Sequence, residues 1–434
     1  MRDYNSQVDA SLTQIKQGLA SSAPLKRALL SAVGGAALLI CDQSAAWAAC
    51  SPSAANSVTA ICDGTTTTTF GSQTLTNGTI TVNVGASLSV TGSKAIDFAS
   101  LTNVYNYGTI AAAPSANTAA TGISAYSTSV TLNNYAGAAV TATASGTGGA
   151  TGIFGRSSID VSNASTATIG ATASGTGGAT ALLSDSSYTK ITNSGSITAS
   201  GGASSYGVYA NTYGDITNTS GGVISVSSTA GDSVAFYAKT YITAVNDGSI
   251  TASGGTGMGA ALFARQYINL ANTGTVSDTA GGSVSTSGLY TWTTATVTSN
   301  TGNITATATG TGAATGVRGD TSAVITNNGN GVISGTTSGA GAAAGVSGGQ
   351  TATVSANSGT IRGTSATGAQ RASRSAVADL NGRPGVDGRR ARVGVCACED
   401  RLAAAREADG AAAARVGDDA GEPRRCGRDT GCEP

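Results

Sequence analysis

Few residues of this chain have the types and spacing that catalysis requires, because its 434 residues include no histidine. Serine–histidine and cysteine–histidine nucleophiles, histidine-bound metals and the usual general base near neutral pH are therefore excluded. Gly231-Asp232-Ser233 has the form of a hydrolase serine motif, but no histidine exists to activate its hydroxyl. The glycines from Gly310 to Gly316 are spaced as in a dinucleotide-binding turn, but no helical pattern follows them. We expect no cofactor, no metal and no enzymatic activity.

Two aspartates occupy related positions in the repeat, and paired carboxylates are what a polysaccharide-cleaving enzyme requires. Asp160 and Asp215 each lie three residues before a repeated asparagine, and Lys190 holds the same place between them. In a stacked β-repeat these carboxylates would be two coils apart, about 10 Å along the axis. A carbohydrate-active enzyme built on a β-helix is therefore one alternative for the function.

Two further features indicate binding rather than catalysis. Arg318-Gly319-Asp320 is an RGD tripeptide at a predicted corner, where it would be either an adhesion site of the integrin-binding type or an ordinary solvated turn. Tyrosines recur through the same region and would either form an outward strip that binds glycans or a partner, or simply cover the coil edges. These tyrosines are Tyr105, Tyr107, Tyr126, Tyr135, Tyr188, Tyr206, Tyr209, Tyr213, Tyr237, Tyr241, Tyr267 and Tyr290.

A repeat of about 28 residues positions all of these side chains. Its phrase is an asparagine, then in most copies a glycine, then Ile or Val, as in NSGSI and NTGTV. Such regular recurrence is the signature of a stacked repeat protein. The asparagines that mark it are Asn77, Asn106, Asn134, Asn163, Asn193, Asn218, Asn246, Asn272, Asn300, Asn328 and Asn357.

Each period contains three strand patterns: one after the asparagine, a small-residue phrase around an aliphatic or aromatic residue, and one leading to the next asparagine. All variation in length falls between the asparagine and the second strand, in connections such as ATASGTGGATG. The pattern predicts an all-β protein, a parallel β-helix of about eleven coils over residues 77–368. We expect the asparagines to form a hydrogen-bonded column and to adopt left-handed backbone at the corners. A disordered Ser/Thr/Gly linker is the alternative, but disorder would not keep this phase.

The N-terminal residues 1–48 have the order of a secretory signal peptide. Basic residues precede an apolar stretch at 28–40, and small residues favour cleavage between Ala48 and Ala49. Residues 49–76 are predicted to form an N-terminal cap. In an oxidising compartment Cys50 and Cys62 would form a disulfide there, the alternative being two free thiols.

Charge is low and balanced, with 23 basic and 23 acidic residues, which argues against nucleic acid as a partner. The composition changes near residue 369. The segment 369–434 is rich in Arg, Ala and Gly, and from 371 onward contains no Ile, Phe, Tyr, Trp, Lys or Met. We interpret it as a disordered tail or the product of a frameshift near residues 368–374; a genuine charged tail or a short helix is the alternative.

Together, the long Ala-rich signal, the early cysteine pair and the Asn-x-Gly-Thr-Ile coils resemble the passenger domain of bacterial autotransporters, the type V secretion proteins. The resemblance covers about residues 1–368 and implies a right-handed β-helix. It implies export by the Sec machinery and display at the cell surface or outer membrane, commonly as an adhesin for host or cell-surface glycans or proteins. It transfers no catalytic residues.

One feature departs from that family. Autotransporters carry a C-terminal β-barrel, and the composition after residue 370 does not suit membrane strands. Without a barrel, a periplasmic location is expected. A truncated, frameshifted remnant without function is accordingly the first alternative, and the carbohydrate-active enzyme is the second.

Overall fold

The computed structural model describes residues 50–51, 59–366 and 370–374, the last segment by its backbone alone. The predicted signal segment, its cleavage site at Ala48 and Ala49, and nearly all of the predicted tail lie outside these residues. Among the described residues, no helix has the length and apolar character needed to cross a membrane.

The described chain forms three parallel sheets of twelve strands each, and consecutive strands belong to different sheets. Sheet A contains β1 Thr59–Cys62, β4 Gly78–Val82, β7 Leu101–Asn106, β10 Val130–Asn134, β13 Ile159–Asn163, β16 Thr189–Asn193, β19 Tyr213–Asn218, β22 Tyr241–Asn246, β25 Tyr267–Asn272, β28 Thr294–Asn300, β31 Ser322–Asn327 and β34 Thr351–Asn357. Sheet B contains β2 Thr65–Thr66, β5 Ser87–Val90, β8 Thr109–Ala112, β11 Ala139–Ala144, β14 Thr168–Ala173, β17 Ser196–Gly201, β20 Val223–Ser228, β23 Ser249–Gly254, β26 Thr275–Ala280, β29 Asn303–Ala308, β32 Val332–Thr337 and β35 Thr360–Ser365. Sheet C contains β3 Phe70–Ser72, β6 Lys94–Phe98, β9 Ala120–Ala125, β12 Ala150–Gly155, β15 Ala179–Ser184, β18 Ser205–Ala210, β21 Ser233–Ala238, β24 Gly259–Ala264, β27 Thr286–Thr291, β30 Ala314–Gly319, β33 Ala343–Gly348 and β36 Gln370–Arg374. The predicted parallel β-helix is therefore confirmed.

Stacking of like residues builds the core. In sheet B the inward position after each asparagine corner holds Ile or Val, and the sheet register places these side chains directly above one another: Ile110, Val140, Ile169, Ile197, Ile224, Ile250, Val276, Ile304 and Ile333. All of them are fully buried. Each such side chain contributes about 1.5–3 kcal/mol to stability, which one coil alone cannot gain.

The stack extends beyond the predicted limits at both ends. β1, β2 and β3 lie in the segment predicted as a cap, and β36 lies just inside the predicted tail. The asparagine count missed the first coil because the corner of that coil is formed by Cys62 instead of an asparagine. Cys62 is buried and forms a disulfide with Cys50.

Ten asparagines form one hydrogen-bonded column at the end of the sheet A strands; nine of them are buried, and the last, Asn357, is exposed. Each amide nitrogen Nδ2 donates to the Oδ1 of the asparagine in the next coil, over 2.7–2.9 Å. The same nitrogens also donate to backbone carbonyls, as Asn134 does to the oxygen of Thr168 at 3.1 Å. The members are Asn106, Asn134, Asn163, Asn193, Asn218, Asn246, Asn272, Asn300, Asn327 and Asn357.

Two of the predicted anchors were wrong. Asn77 precedes a sheet A strand, and the column position of that coil is Val82, which pairs with Asn106. Asn328 follows the column, whose member is Asn327: Asn300 donates to Asn327, and Asn327 donates to Asn357. The predicted left-handed backbone was also wrong for the column: among the described residues, Asn77 and Asn117 are the asparagines with positive φ.

All three connections, rather than the single predicted one, vary in length; the corner from sheet C to sheet A has four residues between Ala125 and Val130 and two between Ala210 and Tyr213. The corner after the asparagine has two residues in copies such as NSGSI and four in the looser copies, and the connection from sheet B to sheet C also varies. The short corner needs glycine for space. A Cβ on Gly248 would strike the backbone oxygens of Gly222 and Thr219 in the coil before it.

Candidate functional site

The three sheets present different outer surfaces. From β5 to β32, the outward positions of sheet B carry mainly Ser and Thr and no charged residue. Sheet A carries a mixed polar surface. The outer side of sheet C is aromatic over four consecutive coils, β18 to β27, so this region differs most from the rest of the repeat.

An aromatic column lies on the outer side of sheet C. The register aligns Tyr209, Tyr237, Phe263 and Tyr290 in successive strands. The ring centroids of Tyr209 and Tyr237 are 4.6 Å apart and those of Tyr237 and Phe263 are 5.2 Å apart, and both pairs are stacked. Phe263 and Tyr290 meet edge to face at 5.1 Å. These distances match the spacing of neighbouring coils, about 4.8 Å, so the sheet itself sets the stacking.

This column is backed by a small apolar cluster outside the main core. Val234 and Ala260 are buried beneath it, and Tyr206 and Met258 pack against them. Burial, reinforced by the nearby Asp232 carboxylate, raises the pKa of Tyr206 to about 12. The phenol therefore stays neutral at any physiological pH and keeps its hydrogen for donation.

A polar column runs beside the aromatic column, at the corner where the chain passes from sheet C to sheet A. The first corner residue of successive coils is Asn211, Lys239, Arg265 and Trp292. The backbone N–H of Lys239 donates to the oxygen of Ala210, and that of Arg265 to Ala238, which keeps the coils in step. We call the four residues the corner column.

Tyrosines flank the corner column on its other side. Tyr213, Tyr241 and Tyr267 begin successive sheet A strands, each two residues after a member of the column. Tyr213 and Tyr241 are stacked with centroids 4.9 Å apart. Tyr241 and Tyr267 are 39% and 53% exposed, and Trp292 is 48% exposed. Corner column and exposed rings together form the candidate site.

Arg265 connects the two sides of the site. Its Nε donates to the hydroxyl of Tyr237 at 3.1 Å, and its guanidinium lies 5.0 Å from the centre of the Trp292 ring. These two contacts hold the guanidinium in one place while the side chain remains exposed. The site therefore presents a fixed positive charge between aromatic rings.

The RGD tripeptide lies two coils beyond Arg265. Arg318 and Gly319 end β30, so Asp320 alone is in the corner. The Arg318 Nε lies 2.8 Å from the Asp320 Oδ1, and the Tyr290 hydroxyl donates to Oδ2 of the same carboxylate at 3.0 Å. The guanidinium also lies 4.7 Å from the Tyr290 ring centre. Arginine and aspartate thus bind each other, an arrangement that opposes presentation of both to a receptor.

The other sequence candidates lie outside this site, and the two aspartates are separated as the sequence predicted. The register aligns Asp160, Lys190 and Asp215 in one column on the outside of sheet A, with the lysine between the two aspartates. Ser233 begins β21 and is fully buried, so it is inaccessible to a substrate. The glycines around Gly312 lie in the connection from sheet B to sheet C.

One buried group was missed in the sequence. Asp278 is 1% exposed at an inward position of β26, where neighbouring coils have Ala252 and Ala306. Thr286 donates a hydrogen bond to its Oδ2, and Oδ1 has no hydrogen-bond partner in the described part of the chain. Burial raises the pKa of this carboxyl to about 7. Its signal in the sequence is a charged residue in a column of small apolar ones.

No protein family, curated protein or solved structure matches this chain. Within the described residues, no group of three or more Cys, Asp or Glu side chains is placed to hold a metal ion.

Proposed function

We propose that this chain is an exported, non-catalytic β-helical passenger that binds a cell-surface ligand through the corner column and its exposed aromatic rings. One observation carries the proposal: Trp292, Tyr267 and Tyr241 are large exposed aromatic side chains grouped around cationic residues on one edge of a rigid repeat. Exposed aromatic and arginine side chains are the residue types that most often dominate binding energy.

The parallel register supports this reading. It repeats the same corner position in each coil at a spacing of about 4.8 Å, so side chains from consecutive coils form a straight row. A row of this kind suits an elongated ligand that lies along the axis. The row is also preorganised, since each coil is held by its neighbours on both sides and little order is lost on binding.

Export and display rest on the sequence. The signal pattern before Ala49 and the resemblance of the coils to autotransporter passengers favour a location outside the cytoplasm, at the surface of the producing cell. Cell fractionation of the native producer tests this part: the protein should be found outside the cytoplasm, and a cytoplasmic location would contradict it.

Binding is tested with the purified, fluorescently labelled chain and a panel of bacterial and animal cells. The proposal expects saturable binding that the double variant Trp292→Ala/Tyr267→Ala loses. The matched control is Tyr107→Ala, which removes an exposed tyrosine from a stacked pair on another corner. Equal binding by all three proteins would contradict the site, and release of sugar fragments from the cells would favour the carbohydrate-active enzyme instead.

A further inference from the structure

The charges of the candidate site limit the kind of ligand it can bind. Lys239 and Arg265 occupy the same corner position in consecutive coils, and neither pairs with a carboxylate among the described residues. By contrast, Lys94 is bound to Asp97 at 3.0 Å and Arg318 to Asp320. The site therefore has two unneutralised cations side by side.

The acidic residues of this edge stand at a distance from both cations. Asp185 holds the same corner position two coils before Lys239, and Asp320 holds it two coils after Arg265. Each is thus about 10 Å from the nearer cation along the axis, and Asp320 is already paired. The centre of the site is positive in a chain whose formal net charge is zero.

The exposed rings add a second requirement. Trp292 follows Arg265 in the corner column, and Tyr241 and Tyr267 lie beside the two cations. Aromatic rings of this kind contact the C–H faces of sugar rings, while guanidinium and ammonium groups bind carboxylates. The Arg265 Nε is occupied by Tyr237, which leaves its outer N–H groups to meet an anion.

From this arrangement we infer that the ligand is an acidic polysaccharide, bound along the axis with its carboxylates on Lys239 and Arg265 and its sugar rings on Trp292 and Tyr267. Three consecutive corner residues span about 10 Å, which is longer than a single small anion, so the site suits a stretch of polymer. This inference rests on the proposed function and names the ligand class of the same site.

The test uses polygalacturonate as the acidic probe and its fully methyl-esterified form as the neutral one. The full chain has two tryptophans, Trp47 and Trp292, and the second lies in the site, so intrinsic fluorescence reports binding. Calorimetry measures the same binding independently. We expect saturable binding of polygalacturonate that weakens with added salt, and at least tenfold weaker binding of the ester.

The charge variant is Lys239→Ala/Arg265→Ala, for which we expect about twentyfold weaker binding of polygalacturonate. The matched control is Arg156→Ala. Arg156 has the same corner position three coils before Lys239 and also lies over a tyrosine ring, 5.7 Å from the centre of Tyr126. The control should bind within about twofold of the unmodified chain. Circular dichroism and the melting temperature establish that each variant is folded.

Four results would overturn the inference. Equal binding of the acidic and neutral polymers would remove the role of charge, and equal losses in Arg156→Ala and the double variant would mean unspecific attraction. If neither polymer binds while Trp292→Ala/Tyr267→Ala still abolishes attachment to cells, the ligand class is wrong but the proposed function stands. If neither polymer binds and that variant attaches normally, both fail.

Discussion

The buried Asp278 predicts that the β-helix loses stability as pH rises. Its carboxyl has a pKa of about 7 in the folded chain, against an ordinary value of 3.8, because burial disfavours the charged form. No charged side chain faces it in the adjacent strands, where Ala252 and Ala306 are its neighbours and Thr286 is its hydrogen-bond donor. Between these two pH values the folded chain holds a proton that the unfolded chain has lost.

The sign and size follow from that difference. The stabilisation is fully present below about pH 4, falls as pH rises, and is lost above about pH 7. A pKa difference of this size corresponds to about 4 kcal/mol in the free energy of unfolding. Asp278→Asn keeps the shape and an acceptor for Thr286 but cannot ionise. We therefore expect it to be more stable than the unmodified chain at high pH, with the advantage disappearing at low pH.

Urea unfolding at about pH 4 and about pH 8.5, followed by circular dichroism and by hydrogen exchange in β26, measures this difference. Hydrogen exchange is measured as well because a long repeat does not always unfold in one step, and exchange in β26 reports the stability of the coil that contains Asp278. Asp215→Asn, an exposed aspartate on sheet A, is the control and should not change the pH dependence. If the gap between Asp278→Asn and the unmodified chain is the same at both pH values, the carboxyl is not held neutral by burial and the reasoning is wrong.

Three further predictions concern the fold. Asn327→Ala should lower the unfolding free energy by about 1–3 kcal/mol, because the amide of the buried Asn300 loses its acceptor in the next coil and the column is interrupted, whereas Asn328→Ala should change it little; urea unfolding compares the two. Gly248→Ala should destabilise the coil it enters, seen as faster hydrogen exchange in β22 and β23, and unchanged exchange there would refute the close approach. Loss of the disulfide in Cys50→Ser should lower the free energy of unfolding by up to about 3 kcal/mol, seen as a lower melting temperature than that of the oxidised unmodified chain. The reduced unmodified chain is the control: it should melt with the variant if the effect is that of the bond.

The repeat pattern predicted the class of fold because it states which side chains must meet. Ile197 and Ile224 fall at the same phase of their repeats, and only a parallel stack puts them on one another. The cysteine pair and the outward tyrosines were likewise visible as residue types. Nine of the ten column asparagines were found from the sequence, at two-residue and four-residue corners alike.

The repeat phrase led to a wrong anchor in two coils. Asn77 is followed by the same letters as a true anchor, yet the corner position of its coil is Val82. The letters around Asn328 allow two phases one residue apart, and the choice of Asn327 depends on the hydrogen bonds to Asn300 and Asn357. The residues of one coil do not specify which asparagine joins the column, because the hydrogen-bond partners belong to the neighbouring coils.

Sequence alone determined that this is a stacked β-repeat without histidine, since periodicity and composition are properties of the chain itself. Tertiary structure decided which side chains are neighbours across coils. Lys239, Arg265 and Trp292 are 26 or 27 residues apart in sequence and become consecutive in space through the register of sheets C and A. The same register placed Asp278 between Ala252 and Ala306 and brought the Tyr290 hydroxyl to Asp320. The register is set by the hydrogen bonds between neighbouring strands. The length of each connection then decides which residue of a coil reaches a given position in that register.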